Sequence, residues 1–281
     1  MTITVIGGDA RSIAASLQFY GMGYETYVYA IDKKYLREFN AENLYSDVLT
    51  CSDAAVLPLP LSQDGESVNC PLSSAEMKVI DVFHSLKDTG VVFCGKASEF
   101  HKRSASEFGL DLIDYYESEA FQINNALTTA EGAVSIFMSR KKITVWGSEC
   151  AVSGYGRIGK CLADRLNKLG ARVTVTARSE RDLAWAKING CSAKYINEFL
   201  EDPAQYDCIF NTIPHNIFTE DCVKKMKSDL ICIELASKPY GMSAEASMIL
   251  KDRYIKASSL PGKYAPITAG KIIADTVCSY L

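Results

Sequence analysis

Residues 150–160 read Cys-Ala-Val-Ser-Gly-Tyr-Gly-Arg-Ile-Gly-Lys, and this stretch decides the fold. The apolar run predicts a short buried strand, and three glycines with G-x-G-x-x-G spacing then lead into a predicted helix. Residues 171–177 predict a second strand, which completes a βαβ unit. A pyrophosphate fits the free N–H groups at the start of such a helix, where the helix dipole favours negative charge. The predicted cofactor contacts are Gly154, Tyr155, Gly156, Arg157, Ile158 and Gly159; a tight structural turn is the alternative.

The end of the second strand indicates which dinucleotide binds. NAD sites normally carry an acid there, about 20 residues past the glycines, that holds the ribose 2′-hydroxyl. Here the sequence reads Thr176-Ala177-Arg178-Ser179, and the first acid is Glu180. A guanidinium and a hydroxyl suit a 2′-phosphate, which a carboxylate would repel. We therefore predict NADP, bound by Arg178 and Ser179; an exposed arginine in a first helical turn is the alternative.

Composition excludes several classes of protein. The 281 residues are 48% hydrophobic with a net charge of −4, which is ordinary for a soluble protein and argues against a nucleic-acid surface. No apolar run approaches the ~18–20 residues of a membrane span, and the first residues lack the basic start of a signal peptide. The ten cysteines form no C-x-x-C pair, and the three histidines lie at no ligand spacing. We expect a cytoplasmic protein with reduced thiols, no metal site and no membrane contact.

Alternating strands and helices predict two doubly wound α/β domains. The first is expected over 1–128, and the second, a Rossmann domain with a C-terminal helix at 268–280, over 129–281. Between the two sheets, Thr128-Thr129-Ala130-Glu131 has the pattern of a capping box, which predicts the start of a helix that crosses between the domains. Ser73 with Glu76 predicts another helix start, with the helix reaching Leu86.

Ligands in open α/β sheets bind beyond the carboxyl ends of the strands. Asn211, Thr212 and Pro214 follow a buried strand, and we expect them to face the nicotinamide ribose; a helix-start turn is the alternative. Lys238 and Lys263 lie in loops with proline and glycine, where each could bind an anion or be a solvated surface lysine. His215 is a candidate for proton transfer or a polar turn residue.

Two further candidates lie outside these loops. Gly7-Gly8-Asp9-Ala10-Arg11 follows the first strand, but its spacing is not that of the fingerprint and Asp9 would repel a phosphate. We therefore expect a substrate-facing loop that carries Arg11, or else a structural turn. Glu131 is either a base in the cleft or only the second half of its capping box, and both interpretations stay open.

Motifs along nearly the whole chain resemble the A subunit of dipicolinate synthase, an enzyme of spore-forming bacteria. Residues 32–72 contribute little, and Tyr240 stands where a glycine is expected. The motifs are Val5-Ile6-Gly7-Gly8-Asp9-Ala10-Arg11, Thr129-Ala130-Glu131-Gly132, the Gly154–Gly159 fingerprint with Ala177-Arg178-Ser179, Asn211-Thr212-Ile213-Pro214, Leu235-Ala236-Ser237-Lys238-Pro239, and Leu260-Pro261-Gly262 with Ala265-Pro266 and Thr268-Ala269-Gly270.

The resemblance implies an activity. The substrate would be the cyclic dicarboxylate made by dihydrodipicolinate synthase, which loses water and two electrons to become pyridine-2,6-dicarboxylate while NADP takes the hydride. A flavoprotein-like B subunit would be the partner, in the mother cell of a sporulating bacterium, and we expect a homo-oligomer. The residues expected to line the substrate cleft are Arg11, Thr129, Glu131, Lys238 and Lys263, with Glu131 as candidate base.

Two other functions remain open. One is another two-domain NADP-dependent dehydrogenase of the shikimate or hydroxy-acid type, although the Lys–Asp or His–acid pair of those enzymes is not evident. The other is a non-catalytic NADP-binding subunit, which the lack of an unambiguous acid–base residue favours.

Overall fold

The computed structural model describes residues 1–49 and 52–281, which form two compact units. The first unit combines Met1–Asn125 with Pro261–Leu281, and the second is Ala126–Leu260. Each unit is built around a parallel sheet with helices in the connections, so the prediction of two doubly wound α/β domains is confirmed. In the described ranges, no helix is both long and apolar enough to cross a membrane.

The first unit has a five-stranded parallel sheet in the order β2-β1-β3-β4-β5. β-branched and aromatic residues make up most of these short strands, as is usual where helices cover both faces of a parallel sheet. The strands are β1 (Thr2–Ile6), β2 (Glu25–Tyr29), β3 (Ala54–Val56), β4 (Val91–Cys94) and β5 (Leu112–Asp114). The helices are α1 (Ala10–Gly21), α2 (Lys33–Glu38), α3 (Val79–Ser85) and α4 (Glu99–Glu107), followed by α5 (Glu119–Lys141).

The second unit has a six-stranded parallel sheet in the order β11-β10-β9-β6-β7-β8, which is the Rossmann strand order. The chain reverses direction across the sheet between β6 and β9, so the fold places the ligand site there. The strands are β6 (Glu149–Ser153), β7 (Arg172–Ala177), β8 (Ser192–Tyr195), β9 (Cys208–Asn211), β10 (Ile231–Glu234) and β11 (Tyr254–Lys256). The helices are α6 (Arg157–Lys168), α7 (Glu180–Ile188), α8 (Ile196–Glu201), α9 (Glu220–Lys224) and α10 (Ala244–Leu250), after which α11 (Leu260–Tyr264) and α12 (Pro266–Cys278) end the chain.

The two predicted capping boxes do not form. The hydroxyl of Ser118 accepts the Phe121 N–H at 3.3 Å, so α5 begins at Glu119 and runs through Thr128 and Glu131 without a break. The boundary between the units falls inside this helix, as expected of a helix that crosses from one domain to the next. Ser73 caps nothing either, because its hydroxyl accepts the Ala75 N–H in a turn and α3 begins only at Val79.

The C-terminal helix α12 packs in the first unit, whereas the sequence placed it in a second domain over 129–281. Small residues explain the difference, because Gly270 lets α12 approach the backbone of α1 closely. A β-carbon at Gly270 would lie 2.5 Å from Ala14 Cβ and 2.6 Å from Arg11 O. The helix therefore completes the core around Phe19 and Phe93 in the first unit.

Candidate dinucleotide site

The glycine turn lies at the carboxyl end of β6, next to the point where the sheet reverses. Gly154 has φ +97°, and a β-carbon there would overlap the Thr212 hydroxyl in the loop after β9. A β-carbon at Gly159 would overlap the carbonyl oxygen of Gly154, so α6 packs directly on the turn. Both positions therefore require glycine, Gly154 for its backbone conformation and Gly159 for close packing.

Gly156 differs from the other two glycines, because the space around it is open. No atom of the described chain lies within 4 Å of the position that its β-carbon would take. Gly156 is the N-cap of α6, and its backbone is extended without any side chain that caps the helix. A helix start that no side chain caps is the kind of site at which a pyrophosphate binds. The turn fits a dinucleotide on these grounds.

A cavity of about 360 Å³ opens beside this turn, at the end of β7. Arg178 is exposed and forms no ion pair with any described residue, and the Ser179 hydroxyl does not cap α7. Asp182 also lines the cavity, and its half-buried carboxylate lies 3.5 Å from Arg181 Nε. The cavity therefore holds an unpaired cation and an acid. Its lining is Gly154, Tyr155, Ala177, Arg178, Ser179, Asp182, Ile196 and Ile213.

Tyr155 forms a fixed wall of the cavity. Its ring is buried, and its hydroxyl accepts a hydrogen bond from Asn189 Nδ2 at 3.0 Å. Burial raises the pKa of this phenol, with a smaller opposing effect from the Asn189 hydrogen bond. Arg157 and Ile158 follow in the first turn of α6, where Arg157 is exposed and Ile158 is half-buried.

Asn211 does not face a ligand, although the sequence placed it against the nicotinamide ribose. Its side chain is fully buried, and Nδ2 donates to Glu234 Oε1 at 2.7 Å and to Ile213 O at 3.0 Å. The other side of the amide accepts the Ile213 N–H, so Asn211 shapes its own loop. Thr212 is held similarly by a 2.9 Å hydrogen bond to Ser153 O, and Pro214 is exposed.

Glu234 was missed by the sequence analysis, although it is the most connected side chain at this edge of the sheet. It ends β10 directly beside Asn211 and is 1% exposed. The sequence does contain a signal for Glu234, because the apolar runs of the neighbouring strands β9 and β10 end in the polar residues Asn211 and Glu234. Burial raises the pKa of Tyr254, whose hydroxyl donates to Glu234, and the Glu234 charge raises it further.

Arg11 is held in a buried ion pair in the first unit. Its Nη2 atom lies 2.9 Å from Asp9 Oδ2 and 2.5 Å from Leu59 O, and the side chain is 9% exposed. Asp9 also caps α1 by accepting the Arg11 N–H. The Nη1 group has no hydrogen-bond partner among the described residues. Gly262 lies against this pair, so exposed Lys263 belongs to the same unit as Arg11, whereas the sequence placed it in the other domain.

The remaining predicted site residues are dispersed. Glu131 is 59% exposed and pairs with Arg165, 3.3 Å away on α6. Arg165 lies about 12 Å along the helix from its first residue, so this carboxylate is remote from the glycine turn. Thr129 is buried in α5, and His215 and Lys238 are exposed. Of these four residues, Glu131 lies away from the cofactor turn, whereas His215 follows Ile213, which lines the cavity, by two residues.

Two family models match the chain in succession. Residues 2–116 match the N-terminal domain of the dipicolinate synthase A subunit. Residues 116–239 match the NAD binding domain of D-isomer specific 2-hydroxyacid dehydrogenases. Together with the strand order and the glycine turn, the second match defines the class: the second unit is a dehydrogenase-type domain that binds a nicotinamide dinucleotide.

Relatives along the full length narrow this class. The chain is 28% identical over 292 residues to the dipicolinate synthase A subunit of Bacillus subtilis (strain 168), covering 100% of this chain and 96% of the relative. Crystal structures of the dipicolinate synthase A subunits from Bacillus halodurans (TM-score 0.84, 25% identity, 100% and 97% coverage) and from Bacillus subtilis (0.79, 27%, 100% and 95%) have the same fold. The chain is thus similar over its full length to dipicolinate synthase A subunits, and its first 116 residues match the N-terminal domain of that family.

Proposed function

We propose that the protein is an NADP-dependent oxidoreductase of dipicolinate synthesis. Its substrate is the product of dihydrodipicolinate synthase, a reduced pyridine ring with two carboxylates. The substrate loses one water molecule and is oxidised by two electrons to pyridine-2,6-dicarboxylate. In the oxidation NADP accepts a hydride and becomes NADPH, and the substrate releases one proton. The observation that carries the proposal is the full-length relationship to the dipicolinate synthase A subunit, together with an intact dinucleotide turn.

The chain's contribution is chiefly to bind and orient. Formation of an aromatic ring favours departure of the hydride, so the protein has to position the ring and exclude water. In this proposal the N–H groups at the start of α6 bind the pyrophosphate, and Arg11 Nη1 contacts a substrate carboxylate. We assign no base, because the candidate Glu131 is paired with Arg165 on α6, away from the glycine turn.

NADP is proposed over NAD because of the charges at the end of β7. Arg178 is an unpaired cation at the cavity, and the Ser179 hydroxyl has no partner among the described residues. Both can bind a 2′-phosphate. Asp182 acts in the opposite direction, because a carboxylate in the same cavity repels that phosphate. The preference for NADP is therefore a balance between Arg178 and Asp182.

A second polypeptide completes the proposed enzyme. The relatives are named as A subunits, and we propose that this chain acts with the corresponding B subunit in the cytoplasm of a sporulating cell. Reaction rates with and without that partner test this part of the proposal separately.

The test supplies the purified chain with fresh dihydrodipicolinate synthase product and either NADP or NAD, with and without the B subunit. We expect the absorbance of NADPH and that of the pyridine product to increase together. Gly154→Ala should abolish turnover, because the added carbon collides with Thr212 at φ +97°. Gly21→Ala is the matched control, because nothing lies within 4 Å of that site.

Two outcomes would contradict the proposal. If NADP binds but no turnover occurs in either arrangement, the chain is a non-catalytic nucleotide-binding subunit. If the cyclic dicarboxylate is inert while shikimate or a hydroxy acid is oxidised, the chain is a dehydrogenase of that other type.

A further inference from the structure

Glu234 is a buried carboxylate in no ion pair of the described residues, although Lys256 on β11 is its register partner. The Lys256 Nζ atom lies instead over the ring of Tyr240, 4.9 Å from its centroid. Its Oε1 atom accepts from Asn211 Nδ2 at 2.7 Å and from Ala236 N at 3.0 Å. Its Oε2 atom accepts from Gly241 N at 2.9 Å and from the Tyr254 hydroxyl at 3.0 Å. Among the described residues, no lysine, arginine or histidine forms an ion pair with it. All four contacts come from donors, which is the arrangement that an ionised carboxylate satisfies.

These hydrogen bonds connect the loop after β9, which borders the cofactor turn, to the loop after β10. Asn211 begins the loop after β9, and Ala236 and Gly241 lie in the loop after β10. Asn211 in turn holds Ile213 through hydrogen bonds to both its N–H and its carbonyl. Ile213 lines the cavity beside Gly154. An unbroken series of contacts therefore runs from Glu234 to the dinucleotide turn.

Packing around Gly241 leaves little room for the two loops to move relative to each other. A β-carbon on Gly241 would overlap the Asn211 amide, so the second loop lies directly on the side chain that shapes the first. Tyr240, just before it, has φ +67°, which is the left-handed region that favours glycine. The loop keeps this conformation while Gly241 donates to Glu234.

Stability alone does not account for such a carboxylate. Removing a charge from water is costly, and a well-packed apolar residue of similar size is often neutral or stabilising at such a site. An apolar residue, however, would provide no acceptors for the four donors. A single side chain that accepts from both loops fixes their relative positions, which is what a cofactor site requires.

We propose that Glu234 is a positioning residue that holds the loops 211–215 and 235–241 in the shape required by the dinucleotide site. This inference rests on the proposed function only in taking NADP as the ligand. Glu234 touches neither cofactor nor substrate and acts through Asn211 and Gly241.

The experiment compares Glu234→Gln with Asp207→Asn. Glutamine keeps the shape of Glu234 but places an amide NH2 group where one oxygen accepts from two of the four donors. Asp207→Asn is the same acid-to-amide change at the opposite edge of the sheet, where Asp207 accepts from Glu149 N at 2.8 Å and pairs with Lys227 at 3.1 Å. The readouts are melting temperature, amide hydrogen exchange by peptide, and dissociation constants for NADP and NAD by calorimetry.

For Glu234→Gln we expect at least tenfold weaker NADP binding and faster exchange confined to peptides that cover 211–217 and 235–242. Asp207→Asn should lower the melting temperature but leave NADP affinity within twofold of wild type. NADP affinity within twofold of wild type in Glu234→Gln, or exchange that accelerates equally over the whole second unit, overturns the inference.

The inference stays testable if Glu234→Gln does not fold or if the wild-type chain binds no dinucleotide. If Glu234→Gln does not fold, Gly241→Ala displaces Asn211 from the other side and is judged by the same exchange pattern. If the wild-type chain binds neither dinucleotide, the proposed cofactor is wrong, while confined exchange in the loops still decides whether Glu234 positions them.

Discussion

Gly270→Ala should destabilise the first unit, although alanine is the better helix former. The added β-carbon would lie 2.5 Å from Ala14 Cβ, 2.6 Å from Arg11 O and 2.7 Å from Ala15 N. Ordinary carbon contacts are about 3.5–4.0 Å, so α1 and α12 must separate by roughly 1 Å. Two of the three obstructing atoms belong to the backbone, which cannot rotate out of the way.

The magnitude follows from two opposing terms. Overpacking of this kind costs about 1–3 kcal/mol, and the backbone contacts place Gly270→Ala near the upper end. The gain in helix propensity returns about 1 kcal/mol, which leaves a net loss of about 2 kcal/mol. For a unit of about 150 residues, this lowers the melting temperature by roughly 4–8 °C.

Gly21→Ala is the matched control for this prediction. It is the same substitution in the helix that α12 packs against, with open space around it and no positive φ. We expect it to leave stability unchanged or raise it by up to about 1 kcal/mol. Urea and thermal unfolding followed by far-UV circular dichroism measure both variants. Gly270→Ala with an unfolding midpoint equal to or above that of wild type would refute the close helix contact.

Three further predictions concern the site and the thiols. Arg178→Gln should weaken NADP binding at least tenfold and leave NAD affinity within twofold of wild type, whereas Asp182→Asn should strengthen NADP binding. Calorimetry with both dinucleotides measures these affinities. Equal losses of NADP and NAD affinity in Arg178→Gln would contradict the proposed selectivity. Arg11→Ala should raise the KM for the cyclic dicarboxylate or lower kcat/KM at least tenfold, and unchanged kinetics remove Arg11 from the substrate site. Burial raises the pKa of Cys150 and of Cys222 to about 11, so only about one thiol in a thousand is ionised at pH 8. Iodoacetamide at that pH should therefore leave both unmodified in the native protein, react faster as the pH rises towards 11, and modify both in urea; rapid native labelling at pH 8 would contradict their burial.

The sheets and the cofactor turn were predictable because their signals are local. Buried parallel strands are short apolar runs bounded by turn residues, and Cys208–Asn211 and Ile231–Glu234 lie where such runs occur. The glycine spacing between β6 and α6 likewise depends on neighbouring residues alone. Local patterns misled only at helix starts, where Ser118 caps α5 earlier than the pattern at Thr128 suggested.

The remaining features depend on contacts between residues far apart in sequence. The position of α12 follows from the small residues of α1, more than 200 residues earlier in the chain. The sequence alone predicts Asn211 as a ligand contact, because the hydrogen bond that it donates to Glu234 depends on the pairing of β9 with β10. Asp182 lines the same cavity as Arg178 from the first turn of α7, whereas the usual search for an acid ends at the last residue of the strand.

The first unit is assembled from two separated pieces of the chain, and this has a consequence for synthesis on the ribosome. Residues 126–260 form their own compact unit and are synthesised before α12. Until α12 follows, Ala14 and Ala15 on α1 lack the helix that covers them. The second unit is one continuous segment, whereas the first, although begun earlier, is complete only after a helix that is synthesised after the whole second unit. Removal of residues 261–281 would therefore destabilise the first unit, which begins the chain, more than the second unit, which directly precedes them.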